Sequence, residues 1–460
     1  MFKFMRPAIV IASLLGIFSS CKKADTTPAV TPPTAVTPTP AAVSDLVKDS
    51  ALLNTRDLYL WYSQIPATFK AHDYADPGKL MDAIHPYSIE SGFTAPVDRW
   101  SFGMLKKDWD NLSGGIASST ASTTSDGDFG ISVFFKADGD LRVRSAERLS
   151  SAGMLGVERS WRVTKINGST DITISNAQYI IDNVYKSKSS TFTFIKPDGT
   201  SVDLTLTASH YKTQPVYMDS VYNINNKKIG YLVFSSFIGD TAQIASDLNR
   251  VFTKFSNNSV SDVVIDLRYN GGGYVSISQL MANYLAPQSA NGSLMMKEMY
   301  NDKNSQYNLS TNFHKIGGLN LSRIYFIVTT GTASASELLI NNLKPFMDVK
   351  LVGPTTTHGK PVGFFPVPVG DWYVFPVSFR SVNNAGSGNY FSGIPVTNSV
   401  ADGLDKNWGD VLESSLSSAL KHITTGAFTR EGTFNQDPRV TRGNEILNEP
   451  SFMGMVSKRK

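Results

Sequence analysis

Apolar and polar positions change period several times along the chain. From Lys228 onward, short apolar runs alternate with stretches of helical spacing. Ile229-Gly-Tyr-Leu-Val-Phe234 reads as a strand, residues 240–255 as a helix, and Val263-Val-Ile-Asp-Leu267 as a strand. Residues 276–284 read as a helix, Ile324-Tyr-Phe-Ile-Val328 as a strand, Leu338-Leu-Ile-Asn-Asn-Leu343 as a helix and Val349-Lys-Leu-Val352 as a strand. Strands alternating with helices predict a largely parallel sheet with covering helices. The stretch before it has a different rhythm. Phe129-Gly-Ile-Ser-Val-Phe-Phe135 alternates with period two, Asp138-Gly139 marks a turn, and Leu141-Arg-Val-Arg144 is its partner. A short helix at 151–155, a strand ending in Asn167-Gly168, a helix at 175–185 and a hairpin over 191–206 complete a β-rich module. Residues 44–109 carry helical spacing, as in Leu46 to Trp61, with a second helix start at Asp76-Pro77.

The flanks lack such periodicity. Lys3 and Arg6 precede a short apolar run from Pro7 to Phe18, closed by Ser19-Ser20-Cys21. This is too short for a comfortable membrane span and has the layout of a signal peptide. Residues 22–43 are Pro, Thr and Ala in alternation, a composition that stays extended and serves as a tether. Residues 426–460 are polar and end in Lys458-Arg-Lys460, which predicts a poorly ordered tail. The expected division is 1–21 signal segment, 22–43 linker, 44–109 helical N-terminal domain, 110–212 β-rich domain, 213–425 catalytic domain and 426–460 tail.

Composition narrows the function. The 460 residues carry 43 basic and 39 acidic side chains, a balance that gives no argument for nucleic acid. One cysteine, Cys21, closes internal disulfides and multi-cysteine metal sites. The six histidines show no paired metal-ligand spacing, so neither a metal nor another cofactor is expected.

The candidate chemistry lies in Thr329-Thr-Gly-Thr-Ala-Ser334-Ala-Ser-Glu337 and Thr357-His-Gly-Lys360. A small hydroxyl residue on a strand-to-helix turn is well placed as a nucleophile, and Ser334 is the candidate. A serine hydroxyl needs a base. A solvated lysine is protonated and cannot serve, but burial lowers its pKa by several units. Lys360 precedes the apolar run Pro361-Val-Gly-Phe-Phe365 and is the candidate base. Ser334 followed by Glu337 also fits a helix capping box, with Ser336 as the more dispensable serine. Asn270-Gly-Gly-Gly273, at the end of a strand, offers backbone N–H groups that can approach a reacting carbonyl.

The ordered blocks Gly230-Tyr-Leu232, Asp266-Leu-Arg268-Tyr-Asn270-Gly-Gly272-Gly273, Thr332-Ala-Ser334-Ala-Ser-Glu337 and Gly359-Lys360 resemble the carboxyl-terminal processing peptidases, also called tail-specific proteases. The resemblance covers roughly residues 45–425. It implies an α/β multidomain chain with a crotonase-like (ClpP-like) catalytic core, Ser334 as nucleophile and Lys360 as base. Its oxyanion donors would be the N–H of Gly272 or Gly273 and that of Ala335. Ala152-Gly153-Met-Leu-Gly156 and Val163-Thr-Lys-Ile166-Asn167-Gly168 resemble a PDZ domain, with Arg159-Ser160 where Gly-Asp is usual. That resemblance implies a peptide added to a sheet edge, with Phe129, Gly130 and Ile131 forming the carboxylate loop. Ser19-Ser20-Cys21 resembles a bacterial lipoprotein box, which implies lipidation of Cys21, a membrane-anchored protein of the cell envelope and a periplasmic or outer-surface location.

The family's third polar residue is replaced here by Phe364, and an Asp found in some members by Pro345. His358 and Glu337 are the nearby candidates for orienting Lys360. The leading expectation is a serine endopeptidase acting through an acyl-enzyme on unfolded or C-terminally recognised proteins. The alternative is a catalytically weak or inactive peptide-binding lipoprotein on the same scaffold. A crotonase-like coenzyme A enzyme would leave the signal segment and the PDZ-like module unexplained.

Overall fold

The computed structural model describes residues 43–117, 127–428, 437–447 and 452–457. Cys21 and the linker at 22–43, apart from Val43, lie outside the described residues. Six strands form the central sheet, in the order Asn398–Ser399, Asp348–Gly353, Arg323–Ile327, Asp262–Asp266, Lys227–Phe234 and Val216–Ile224. All neighbours are parallel except Val216–Ile224, which runs antiparallel to Lys227–Phe234. The middle strands carry the apolar runs Val263 to Ile265 and Ile324 to Ile327 because both faces are covered. On one face Thr241–Asn257, Val275–Leu285 and Ala335–Leu343 bury Leu248, Phe252, Met281 and Leu338. On the other, Ser414–Thr425 buries Leu416 and Ile423 against Tyr231 and Tyr325. Asp240 caps the first of these helices, its carboxylate accepting the N–H groups of Ala242 and Gln243.

A second sheet, absent from the sequence reading, joins Leu309–Asn312, Leu294–Tyr300, Phe379–Asn383 and Val362–Gly363. These strands are short and interrupted by polar residues, and Leu294–Tyr300 pairs with Phe379–Asn383 across some eighty residues, so no local period marks the sheet. Val362–Gly363 begins two residues after Lys360 and anchors the lysine loop.

The stretch 44–109 contributes more than helices. Asp45–Leu58 and Pro77–Ile84 are helical, and Asp76 accepts the Lys79 N–H as the N-cap of the latter. Phe102–Leu105, however, is a strand paired with Trp372–Phe375, and the region shares one core with Val362, Phe364 and Phe375. Its aromatic residues are therefore spent against the α/β body.

The β-rich module has five strands in sequential order, with Ile131–Ala137 at one edge, and the helix Ala177–Val184 packs in its core. Arg159, buried to 1% exposure, reaches out of it. It donates to the Asp402 carboxylate at 2.7 Å and to the Tyr269 hydroxyl at 3.1 Å.

The expectation of a poorly ordered tail is corrected for residues 437–447 and 452–457. Pro438–Leu447 is a helix and Gly454–Val456 is a strand. Val440, Leu447, Met455 and Val456 are buried, so the charges at the end of the chain conceal a set of apolar anchors.

Candidate active site

Three chain segments meet at the C-terminal ends of the central strands, where ligands bind in open α/β sheets. The first is the turn between Arg323–Ile327 and Ala335–Leu343. Ser334 is the residue before this helix and has φ +61° and ψ −110°, a conformation that L-residues rarely adopt. Its side chain is fully buried, and its Oγ has no hydrogen-bond partner among the described residues.

The second segment carries Lys360, which is also fully buried. Removal from water pushes its pKa well below the ordinary lysine range, with the carboxylates of Asp98 and Glu337 pulling the other way. The amine lies 3.9 Å from the centre of the Phe364 ring and 5.7 Å from that of Trp100. Phe364 is thus one wall of the dry pocket around the base candidate. The Nζ donates to the Met453 carbonyl at 2.7 Å. It has no hydrogen bond to Ser334.

The third segment is the glycine loop. Gly272 and Gly273 have φ +103° and +142°. A Cβ on Gly273 would lie 2.2 Å from Ile238 N and Phe237 C, so only glycine fits. The Gly272 N–H is occupied, donating to Asn270 Oδ1 at 2.9 Å. This leaves the N–H of Gly273 and that of Ala335, which lies at the first helical position and lacks an intrahelical acceptor. The loop is clamped from behind. Arg268 donates to Asp266 at 2.7 Å, to Asp402 at 2.8 Å and to Glu413 at 2.9 Å. Burial opposes ionisation of Asp402, but Arg159 and Arg268 outweigh it and hold its carboxyl below the usual range.

Glu337 ties the first two segments together. Its carboxylate accepts the N–H of Ser334 at 2.8 Å, of Gly359 at 2.7 Å and of Lys360 at 2.8 Å, as well as the Thr357 hydroxyl. Burial raises its pKa, and these donors offset part of that rise. Glu337 therefore fixes the backbone on both sides of the site. The sequence offered a signal for one of these bonds only, the Ser-x-x-Glu spacing of a capping box. His358 is engaged elsewhere. The Trp100 indole N–H donates to its Nε2 at 3.0 Å, so the proton sits on Nδ1 and is donated to the Thr330 carbonyl at 3.2 Å. Burial holds its pKa down to about 4, and it is neutral at physiological pH.

Residues 228–396, which contain all three segments, match the model of Peptidase family S41. The carboxy-terminal processing protease CtpB of Bacillus subtilis is 26% identical over 326 residues, 67% of this chain and 64% of that protein. A protein named "Probable CtpA-like serine protease" from Staphylococcus saprophyticus is 25% identical over 279 residues, 59% of this chain and 53% of that protein. Over this stretch the chain carries the pattern of the S41 peptidases and is similar to the carboxyl-terminal processing proteases. It matches under two thirds of the length of these relatives. The crystal structure of an S41-family protein from Bacteroides fragilis shares the fold, with a TM-score of 0.65 at 23% identity. It covers 84% of this chain and 99% of that one. Phe129, Gly130 and Ile131 belong to the five-stranded module, outside the stretch matched by the family model. They lie where the module's edge strand begins, with the Gly130 N–H on Asp128 and its carbonyl accepting from Glu147.

Proposed function

We propose that the protein is a serine endopeptidase in which Ser334 attacks a peptide carbonyl and Lys360 takes its proton. The observation that carries this reading is a fully buried lysine with a strongly depressed pKa, fastened through Glu337 to a strained, buried serine. A neutral amine can act as a base at ordinary pH. The oxyanion of the tetrahedral intermediate is assigned to the N–H groups of Gly273 and Ala335, since that of Gly272 serves Asn270. Collapse of this intermediate breaks the C–N bond as the Lys360 ammonium passes its proton to the leaving nitrogen, giving an acyl-enzyme on Ser334 and releasing the amine product. Lys360, neutral again, then deprotonates the water that hydrolyses the ester and returns the proton to Ser334 Oγ.

In this reading the α/β body is the crotonase-like catalytic core, and residues 44–109 support it. The five-stranded module at 110–212 is PDZ-like. It presents an edge strand and the loop Phe129-Gly130-Ile131 to an extended or C-terminal peptide. Lipidation at Cys21 would hold the enzyme at the cell envelope through the tether at 22–43. The substrates are unfolded proteins or proteins recognised by their C-termini.

The test compares wild type, Ser334→Ala and Lys360→Ala on an unfolded protein such as reduced casein. Cleavage by wild type, lost in both variants, is expected. Cleavage that survives in both refutes the dyad.

A further inference from the structure

The cleft between the glycine loop and Phe364 is filled by the chain's own residues 452–457. Gly454–Val456 runs parallel to Gly272–Tyr274, with Gly454 opposite Gly272 and Met455 opposite Gly273. A residue in a parallel ladder bonds the two neighbours of the residue opposite. For Gly454 these are Gly271, whose carbonyl accepts its N–H at 3.0 Å, and Gly273, toward whose N–H the parallel register directs the Gly454 carbonyl. On the other side, the Phe364 N–H donates to the Met455 carbonyl at 2.9 Å, and the Ser457 N–H to the Phe364 carbonyl at 3.0 Å. The segment is therefore a middle strand, added as extended peptides are added to sheet edges.

Its position relative to the chemistry is specific. A Cβ on Gly272 would lie 2.5 Å from the Gly454 carbonyl oxygen and 2.8 Å from Ala335 N. That carbonyl thus sits at the corner where the assigned oxyanion donors converge. One residue earlier, the Met453 carbonyl takes the Lys360 amine. The Phe452 ring enters an aromatic pocket, with centroids 5.9 Å from Trp109, 6.1 Å from Phe102 and 6.3 Å from Phe364. Met455 is fully buried.

The preceding helix makes a second, separate contact. Pro438–Leu447 places Val440 and Leu447 in the core of the five-stranded module. The Phe135 N–H donates to Asn444 Oδ1 at 2.7 Å, and Asn444 Nδ2 donates to the Phe135 carbonyl at 2.9 Å. Phe135 belongs to the edge strand, whose free backbone groups would otherwise be open to a peptide.

We infer that residues 437–447 and 452–457 form a cis-acting peptide strap, the first on the module's edge strand and the second in the active-site cleft, that keeps the peptidase latent until a peptide displaces it. Latency rests on the Ser334–Lys360 reading; occupancy of the cleft does not. The strap also describes its competitor. This is an extended peptide with an aromatic side chain two residues before a glycine-sized residue, followed by an apolar one. A Cβ on Gly454 would fall 2.0 Å from the Phe452 ring, so the strap fits with glycine there.

The test uses the full chain and the double variant Phe452→Asp/Met455→Asp, which leaves the serine, the lysine and the glycine loop intact. Hydrogen exchange should show the amides of Gly454 and Ser457 protected in wild type and released in the variant. A fluorescent peptide of the sequence Phe-Met-Gly-Met-Val-Ser should bind the variant at least tenfold more tightly than wild type. Unprotected amides in wild type, or equal peptide binding, would overturn the strap. Casein cleavage by the variant, at least tenfold faster than by wild type, is the third expectation. An equal rate in the two active proteins overturns latency. Release of the strap with no cleavage leaves occupancy standing and refutes the peptidase reading.

Discussion

The Lys360 amine donates to the Met453 carbonyl at 2.7 Å, while Ser334 Oγ has no hydrogen-bond partner among the described residues. The proposed base and the proposed nucleophile are both buried, and the proposed base is engaged with a peptide carbonyl. This is the geometry expected of the latent state inferred above.

The pH dependence follows from the burial of Lys360. The amine is a base only when neutral, so kcat/KM on casein should rise with pH through its ionisation. That limb should lie well below the ordinary lysine value of about 10.4. For stability, the unfolded chain binds the extra proton between the depressed pKa and about 10.4. Folding stability from this residue therefore rises with pH across that window. Phe364→Gln should move the kinetic limb to higher pH, because a polar acceptor replaces the ring face 3.9 Å from the amine. An unmoved limb would mean that Phe364 does not set the base.

Glu337 is expected to be a positioning residue. Glu337→Ala leaves three backbone N–H groups and the Thr357 hydroxyl without their acceptor. Each such loss costs about 1–3 kcal/mol, so urea denaturation should show a loss of several kcal/mol. Glu337→Gln keeps the shape but turns a donor toward donors. It should lower kcat by about tenfold or more, with KM little changed, as expected when only the reacting geometry is disturbed. A proportionate rise in KM would place Glu337 in substrate binding instead.

Gly273→Ala tests the oxyanion loop. A methyl group there meets backbone at 2.2 Å, so the loop must move and its N–H with it. Loss of one such donor costs about 10²–10³ in kcat. A variant that folds and keeps wild-type kcat would remove Gly273 from the mechanism.

Arg159→Ala removes a buried guanidinium from Asp402, which retains Arg268. Breaking a buried pair costs about 3–5 kcal/mol. Thermal unfolding should fall accordingly, whereas an unchanged Tm would show that the module and the α/β body are not coupled through this contact.

The sequence carried these elements unequally. The parallel strands and their helices were legible because burial on both faces writes continuous apolar runs, as at Val263 to Leu267. Ser334, Lys360 and the glycine loop stood out as rare residue types at strand ends. Glu337 was half visible: its spacing to Ser334 is local, but its bonds to Gly359 and Lys360 cross more than twenty residues. The strap was missed because four short apolar anchors are spread among charged residues. Its strand gains a partner only when the glycine loop and Phe364 are already in place.

The central claim is that Ser334 is a nucleophile activated by Lys360. Its most direct measurement is covalent labelling with a fluorophosphonate, mapped by mass spectrometry on wild type and on the Phe452→Asp/Met455→Asp chain. One adduct per chain, on Ser334, is expected, forming faster in the released chain and lost in Lys360→Ala. No adduct in either protein, or one that persists in Ser334→Ala, would contradict it.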